Sequence, residues 1–402
     1  MKRKVSGIML TLLLMGLLAL AFNMQPVKTE PATIIVPDDY PTIQEAINNA
    51  DEGDAIFVRS GIYYENLVVN KSVSLVGENK YGTIVDGNFT GTVVRITADN
   101  VSVTNFTIRN GKYMGDGVII GRWNYTTTGC NINNNIMRDN AVGIELREAN
   151  NNTIADNLVF CPLHKDGTPL CWNGILMYLS NGNIITNNTI SSGYVALYLG
   201  GSDCNIVNCN RLCSNWYGIR VHGSSNNTIV ANEVFNNTRG IHIASYTVLS
   251  INNRIYHNDF INNIQQATES NSTNIWDNGY PLGGNFWSDY GGTDFYSGHY
   301  QNETGSDGIG DTPHIIPDLY DPWIVEGQDS YPLMKPFFWW NLADVNYDLK
   351  VDLYDAVKVL RAYGSEPGDG NWNPQCDIAE PYNKIDIYDA TLLLTNYGEK
   401  YS

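Results

Sequence analysis

The chain has 402 residues, a formal net charge of −18 and only 16% charged residues. A chain this acidic is a poor partner for nucleic acid or an anionic membrane surface, both of which call for basic patches. Its seven cysteines are an odd number, so at least one lies outside any internal disulfide.

Lys2-Arg3-Lys4 followed by the apolar run Ile8–Phe22 reads as a secretory signal over residues 1–22. The run is short for a bilayer span of ~20 residues; if retained it would be an anchor. No later segment reads as a membrane-spanning helix, so the mature protein is expected to be secreted or at the cell surface. Sequons at Asn70, Asn88, Asn105 and Asn302 are glycan acceptors in an exported protein, although an asparagine-rich repeat in the middle of the chain generates Asn-Thr pairs by itself.

Residues 33–87 open the folded part. Tyr40-Pro41-Thr42 followed by Ile43, Ala46, Ile47 and Ala50 predicts a short amphipathic helix over Thr42–Ala50. Short apolar runs come next, including Ala55-Ile56-Phe57-Val58 and Val73-Ser74-Leu75-Val76. A helix placed there would cover the open apolar end of a stack of strands, as a solenoid requires.

From about Cys130 to Asn263 one motif recurs: Asn, any residue, an apolar residue, a polar turn, then Gly-apolar-x-apolar. Its asparagines are Asn135, Asn157, Asn188, Asn210, Asn232 and Asn258, spaced 22, 31, 22, 22 and 26 residues apart. A small-residue column accompanies them at Gly143, Gly174, Ala196, Gly218 and Gly240. Alternation within each copy is the two-residue period of a strand. Three columns are predicted to face inward. One runs from Ile144 to Ile241, a second from Leu146 to Ile243, and a third is Met137, Val159, Ile190, Leu212, Val234 and Phe260. No copy buries its apolar face alone, whereas stacked copies do, and the asparagines then form a ladder at a turn. The solenoid is expected from about Val36 to Gln266. Cys161 and Cys171 bracket the insertion 162–170 that explains the 31-residue spacing, and a disulfide there would pin the loop. Cys204, Cys209 and Cys213 are metal ligands or, on the expectation favoured by the absence of a paired Cys-x-x-Cys, buried or disulfide cysteines.

These phrases resemble the right-handed parallel β-helix family, and the opening block is similar to the N-terminal cap of the pectin lyase-like superfamily. The paired-aspartate phrases of polygalacturonase-like enzymes and the Asp-Phe-Ile-Phe-Gly phrase of pectin esterases are absent. The coil acids Asp116, Asp139, Glu145, Glu148, Asp156, Asp203 and Glu233 are expected to be solvated turn residues.

Counting from the small-residue column, Glu145, Leu176, Tyr198, Arg220 and His242 should point outward, with Arg147, Tyr178 and His222 two positions on and Trp172, Tyr194 and Trp216 two before. Trp172, Tyr178, Tyr194, Tyr198, Trp216, Arg220, His222 and His242 are therefore the candidate carbohydrate-binding residues, since sugar C–H faces pack on aromatic rings while hydroxyls take polar bonds. An aromatic stack that only stabilises the sheet is the alternative. His222 and His242 are also the best pair for a soft metal.

Residues 274–335 break the period, with Gly284-Asn-Phe-Trp-Ser-Asp-Tyr-Gly-Gly and Asp307-Gly-Ile-Gly-Asp311. This order of phrases is similar to the C-terminal end of NosD-like β-helix proteins, and the resemblance covers roughly residues 33–335. It implies carbohydrate binding or sugar hydrolysis, and it implies copper by family label. Asp294, Asp307 and Asp311 are a further candidate calcium site. Otherwise the segment serves as an aromatic plug.

Residues 336–341 read as a linker. In Asp344-Val-Asn346-Tyr-Asp348-Leu-Lys350-Val-Asp352-Leu-Tyr-Asp355, oxygen donors stand at loop positions 1, 3, 5 and 12, with the Lys350 carbonyl at 7, before a predicted helix over Ala356–Tyr363. Leu349 replaces the usual glycine. A second copy, Asp377–Asp389, is poorer in acids and is expected to be degenerate. Two loop-plus-helix copies over 342–402 resemble a type I dockerin, implying a calcium ion and a cohesin-like protein partner. The expected chain is thus all-β, a right-handed parallel β-helix solenoid over 33–273 with a helical cap, followed by a small all-α EF-hand-like (dockerin) module. Three functions remain open: polysaccharide binding, polysaccharide hydrolysis or lysis, and copper handling.

Overall fold

The computed structural model describes residues 32–111, 115–121, 126–160, 171–245, 248–319, 321–337 and 353–365, together with residue 390. The chain winds into a parallel β-solenoid of the right-handed type with about ten turns. Each coil gives one strand to each of three parallel sheets: sheet A with 11 strands, sheet B with 10 and sheet C with 9. A typical coil runs Ile206–Asn208 in sheet A, Arg211–Cys213 in sheet B and Tyr217–His222 in sheet C. The sheets extend past Gln266, to Thr273–Ile275 in sheet A and Phe286–Trp287 in sheet B.

All three predicted inward columns are buried, and sheet A adds a fourth: Ile132, Ile154, Ile185, Val207, Ile229 and Ile255. The small-residue column has a steric cause. A Cβ on Gly218 would lie 2.5 Å from Val234 Cγ1 and 2.6 Å from the Gly240 carbonyl, so the chain turns into sheet C directly against sheet B's apolar column.

The Asn188, Asn210 and Asn232 side chains line up as expected. Asn210 donates its Nδ2 to Asn232 Oδ1 at 3.0 Å and to the Ile185 carbonyl at 2.8 Å, while its Oδ1 accepts from the Asn188 backbone N–H and Nδ2, both at 3.0 Å. A buried amide is thereby fully satisfied. The expectation of a ladder at one turn was too narrow, because each of the three turns carries one. Asn152, Asn183, Asn205, Asn227 and Asn253 form the second, and Asn215, Asn237 and Asn263 the third. Ser180, Ser202, Ser224 and Ser250 repeat the pattern through hydroxyls.

Helix α1, Ile43–Asn49, covers the first coil with Ile43, Ala46 and Ile47 buried. Thr42 caps it, accepting from the Glu45 N–H at 3.2 Å, and the Glu65 carboxylate accepts from the N–H groups of Ile43 and Gln44 at 3.0 and 2.9 Å. At the far end Phe260, Trp276 and Trp287 are buried; Phe260 stacks on Trp287 at 4.5 Å, and His314 stacks on Trp287's ring at 4.3 Å. Two acids are buried with them. Glu269 stands in the Val221–Ile243 column and accepts from Trp276 Nε1 at 2.6 Å and Asn274 Nδ2 at 2.8 Å. Asp329 accepts from the Asn285 N–H at 2.7 Å, Trp287 Nε1 at 2.8 Å and the Tyr331 N–H at 3.1 Å. Burial pushes both carboxyls up, Asp329 to about 7.

The helix expected over Ala356–Tyr363 is α2, Leu353–Ala362. The linker residues 338–341 and the loops carrying Asp344, Asn346, Asp348, Lys350, Asp377 and Asp389 lie outside the described residues, and of Asp355 only its place in α2 is described.

Candidate functional site on the outer face of sheet C

Full coils of sheets A and B contribute mostly three-residue strands, whereas sheet C strands from Val142 onward have six residues. The extra length gives sheet C outward columns that run across several coils. Pairing aligns Glu145, Leu176, Tyr198, Arg220, His242 and Thr268 in one, and Arg147, Tyr178, Gly200, His222 and Ala244 in the next.

At the strand entrances Trp172, Tyr194 and Trp216 form a third column, 53%, 38% and 46% exposed. Tyr194 and Trp216 stack with centroids 6.3 Å apart and planes 19° apart. Tyr217 lies beneath them, edge-on to Tyr194 at 5.8 Å. The Arg220 and Arg239 guanidinium groups sit over the Tyr217 ring at 5.4 and 5.2 Å, and Arg239 donates to its hydroxyl at 2.7 Å. Arg220 also sits over Tyr198 at 5.6 Å, whose hydroxyl meets His222 Nδ1 at 3.2 Å. Tyr178 is exposed. Seven of the eight predicted residues thus share one accessible face; His242 does not. It is 1% exposed, with Nδ1 against Thr268 Oγ1 at 2.8 Å and Tyr217 packed on its ring. Burial first, then Arg220 and Arg239, lowers its pKa to about 4, and burial and Arg220 lower that of His222.

Toward the N-terminus the same face holds a carboxyl pair. Asp116 and Glu145 were expected to be solvated, yet they are 7% and 3% exposed. Thr92 Oγ1 donates to Asp116 at 3.2 Å, and Arg147 Nε donates to Glu145 at 2.7 Å. Burial, and then the Glu145 charge, push Asp116 up to about 7. Glu145, Arg147, Leu176 and Tyr178 line an open cleft beside it. Asp139, Glu148 and Asp156 are turn residues as expected, each with positive φ.

The candidate metal groups come out differently. Asp294 accepts from the N–H groups of Asp307 and Gly308, and Asp311 from those of Phe295 and Tyr296, so these carboxylates close the loop upon itself. Among the described residues no three His, Cys, Asp or Glu side chains form a metal-holding group. Cys171 is disulfide-bonded, its partner lying outside the described residues; Cys204 is an exposed thiol and Cys213 a half-buried one, contrary to the expectation of buried or bridged cysteines.

Sequence reasoning missed Tyr217, Arg239 and Asp116 as parts of this face. The first two stand one residue before the small-residue column, at the opposite parity to the counted positions, and Asp116 is 29 residues from Glu145, a distance no local pattern spans.

Residues 47–292 match the family described as periplasmic copper-binding protein (NosD). The chain belongs to that family. It is 30% identical over 195 residues to a cell surface glycoprotein of Methanothermus fervidus, an alignment covering 48% of this chain and 32% of the relative, so the chain spans about a third of that relative's length. Among solved structures it is similar to an alginate lyase from a Paenibacillus species, with TM-score 0.41 and 15% identity over 67% of this chain and 98% of that one. It is also similar to endopolygalacturonase I from Stereum purpureum, with TM-score 0.39 and 13% identity over 58% and 95% of the two chains. Likeness at this level says nothing of chemistry.

Proposed function

We propose that this NosD-family chain is an extracellular or surface-located β-helix that binds an extended polysaccharide along the outer face of sheet C. The observation that carries the reading is the solvent-facing stack of Tyr194 on Trp216, continued by Trp172 in the same column and flanked by Tyr178, Tyr198, Arg220 and His222. Rings repeated at the coil spacing of ~4.8 Å offer successive platforms to a linear glycan. Arg220 and Arg239, stacked on Tyr217, give this part of an acidic protein local positive charge, so uronate-containing chains are the favoured class and salt should weaken their binding. The outside location is supported by the surface glycoprotein relative and by the periplasmic description of the family. No described helix is long and apolar enough to cross a membrane.

A glycan array with the mature full chain tests the reading. Trp216→Ala should weaken binding by about 1–3 kcal/mol, roughly tenfold or more, without lowering thermal stability. Lost stability with intact binding would make the ring structural.

A hydrolytic reading is favoured by one observation, the two buried carboxyls Asp116 and Glu145 on neighbouring coils of this face. A reducing-sugar assay on the bound glycan, repeated with Glu145→Gln, decides it. Copper handling is not favoured, because His242 is buried against Thr268 and the described donors do not converge on one point.

The proposed C-terminal role is calcium-dependent docking to a cohesin-like protein, resting on the loop-plus-helix sequence before α2. Calcium titration of the full chain should show one tight event that Asp355→Ala abolishes; two equal events, or none, would refute it.

A further inference from the structure

The corner where the chain passes from sheet C to sheet A takes no part in the proposed binding face. One column of left-handed residues there is Asn100, Gly129, Asn151, Gly182, Cys204, Asn226, Asn252 and Asn271, with φ between 50° and 70°; Glu148, Leu179, Gly201 and Gly223 form another, nearer sheet C. That conformation favours glycine or asparagine and accounts for those residue types. It does not account for the hydroxyl residues two positions beyond four of the asparagines. Asn100-Val-Ser, Asn151-Asn-Thr, Asn226-Asn-Thr and Asn271-Ser-Thr are all sequons.

The amide nitrogens separate these residues from the ladder asparagines. In the ladders each Nδ2 donates to two or three acceptors inside the protein. Asn100, Asn151, Asn226 and Asn271 are exposed, and their Nδ2 atoms donate to nothing among the described residues. Gly129 and Gly182, one coil on, leave room for the side chains: a Cβ there would lie 2.4 Å from Asn100 Oδ1 and 2.5 Å from Asn151 Oδ1. Asn187-Asn-Thr is a contrasting sequon on another corner; it is half-buried and its Nδ2 donates to Asp156. No sequon asparagine falls within a described strand of sheet C.

We propose that Asn100, Asn151, Asn226 and Asn271 carry N-linked glycans, forming a ridge of sugar along the C–A corner that leaves the face of sheet C bare. In the transfer the Asn Nδ2 bonds to the anomeric carbon of a lipid-phosphate-linked oligosaccharide supplied by a membrane transferase. The bond from that carbon to the phosphate oxygen breaks, the lipid phosphate leaves with the electron pair, and the amide gives up one proton. Successive acceptors lie two, three and two coils apart, roughly 10–14 Å at the spacing of parallel strands. The proposal rests on the chain being exported.

The test is expression of the full chain in a host with N-linked glycosylation, once with its own N-terminus and once behind a host secretory leader, followed by intact mass and glycopeptide mapping. The expected result is glycan at the four corner asparagines and little or none at Asn187. A combined Ser102→Ala, Thr153→Val, Thr228→Val, Thr273→Val variant, which keeps the left-handed asparagines, should lose those glycans and bind the glycan array as the parent does. Secreted protein bare at the four sites, or modified equally at Asn187, overturns the ridge. Protein retained with its own N-terminus but glycosylated behind the host leader supports the ridge and overturns the export reading instead.

Discussion

At the N-terminal end of the solenoid Ile43, Ala46 and Ile47 of α1 lie over the first coil, and the carboxylate at the helix N-terminus, Glu65, caps it from outside. At the C-terminal end Trp276, Trp287 and His314 lie over the last coil, with Glu269 and Asp329 buried among them. Both arrangements remove an open apolar end from water, but only the second makes closure depend on proton binding. An apolar cap has no titratable group to lose; an indole N–H buried at the end of a stack needs an acceptor, and here a carboxylate supplies it.

The largest expected effect comes from emptying the aromatic end. Trp287→Ala removes the ring between Phe260 and His314 and takes one donor from Asp329, and should cost about 3–5 kcal/mol in denaturant unfolding. Ile47→Ala at the other end should cost about 2–4 kcal/mol. If the two are equal at pH 6 and remain equal at pH 8, the contrast between the ends fails.

The pH dependence sharpens the same contrast. The Asp329 carboxyl is raised to about 7, above its unfolded value, so between about pH 4 and 7 the folded chain holds a proton that the unfolded chain has released. Stability present at low pH is therefore lost as pH rises through about 7, and the melting temperature should fall between pH 6 and 8. Asp116, raised to about 7, adds to the fall with the same sign. Asp329→Asn and Asp116→Asn should each flatten part of the slope, with the buried Glu269 contributing the same sign; a melting temperature that does not change over that range would show these carboxyls already ionised. Smaller still is the helix cap, where Thr42→Ala should cost about 1 kcal/mol with no dependence on pH. Trp216→Ala, on the exposed face, should stay within about 0.5 kcal/mol of the parent.

Repetition made much of this legible from residues alone. Each inward column repeats an apolar type at every coil, and the asparagine at the A–B turn recurs through six copies, so both could be read off the chain. The other two ladders were equally available, because their asparagines stand five residues either side of the first, as in Asn205, Asn210 and Asn215 or Asn227, Asn232 and Asn237. What parity could not give was neighbourhood. His242 counts as outward, yet Thr268 of the following coil and Tyr217 of the preceding one close over it. Asp116 and Glu145 meet only because the chain winds once between them. Nor does the C-terminal plug arise from a repeat, since it is built where the repeat stops.

The ladders also tolerate unequal coils. Asn157 and Asn188 are 31 residues apart and Asn232 and Asn258 are 26 apart, yet their amide bonds, 3.0 and 2.9 Å, match the 3.0 Å found across 22 residues. The rung closes at the same length whatever the number of residues in the coil. Lengthening this molecule is then an integer operation. Duplicating one coil adds one rung to each ladder, one layer to the core and one more row of side chains to the outer face, and leaves both ends as they were.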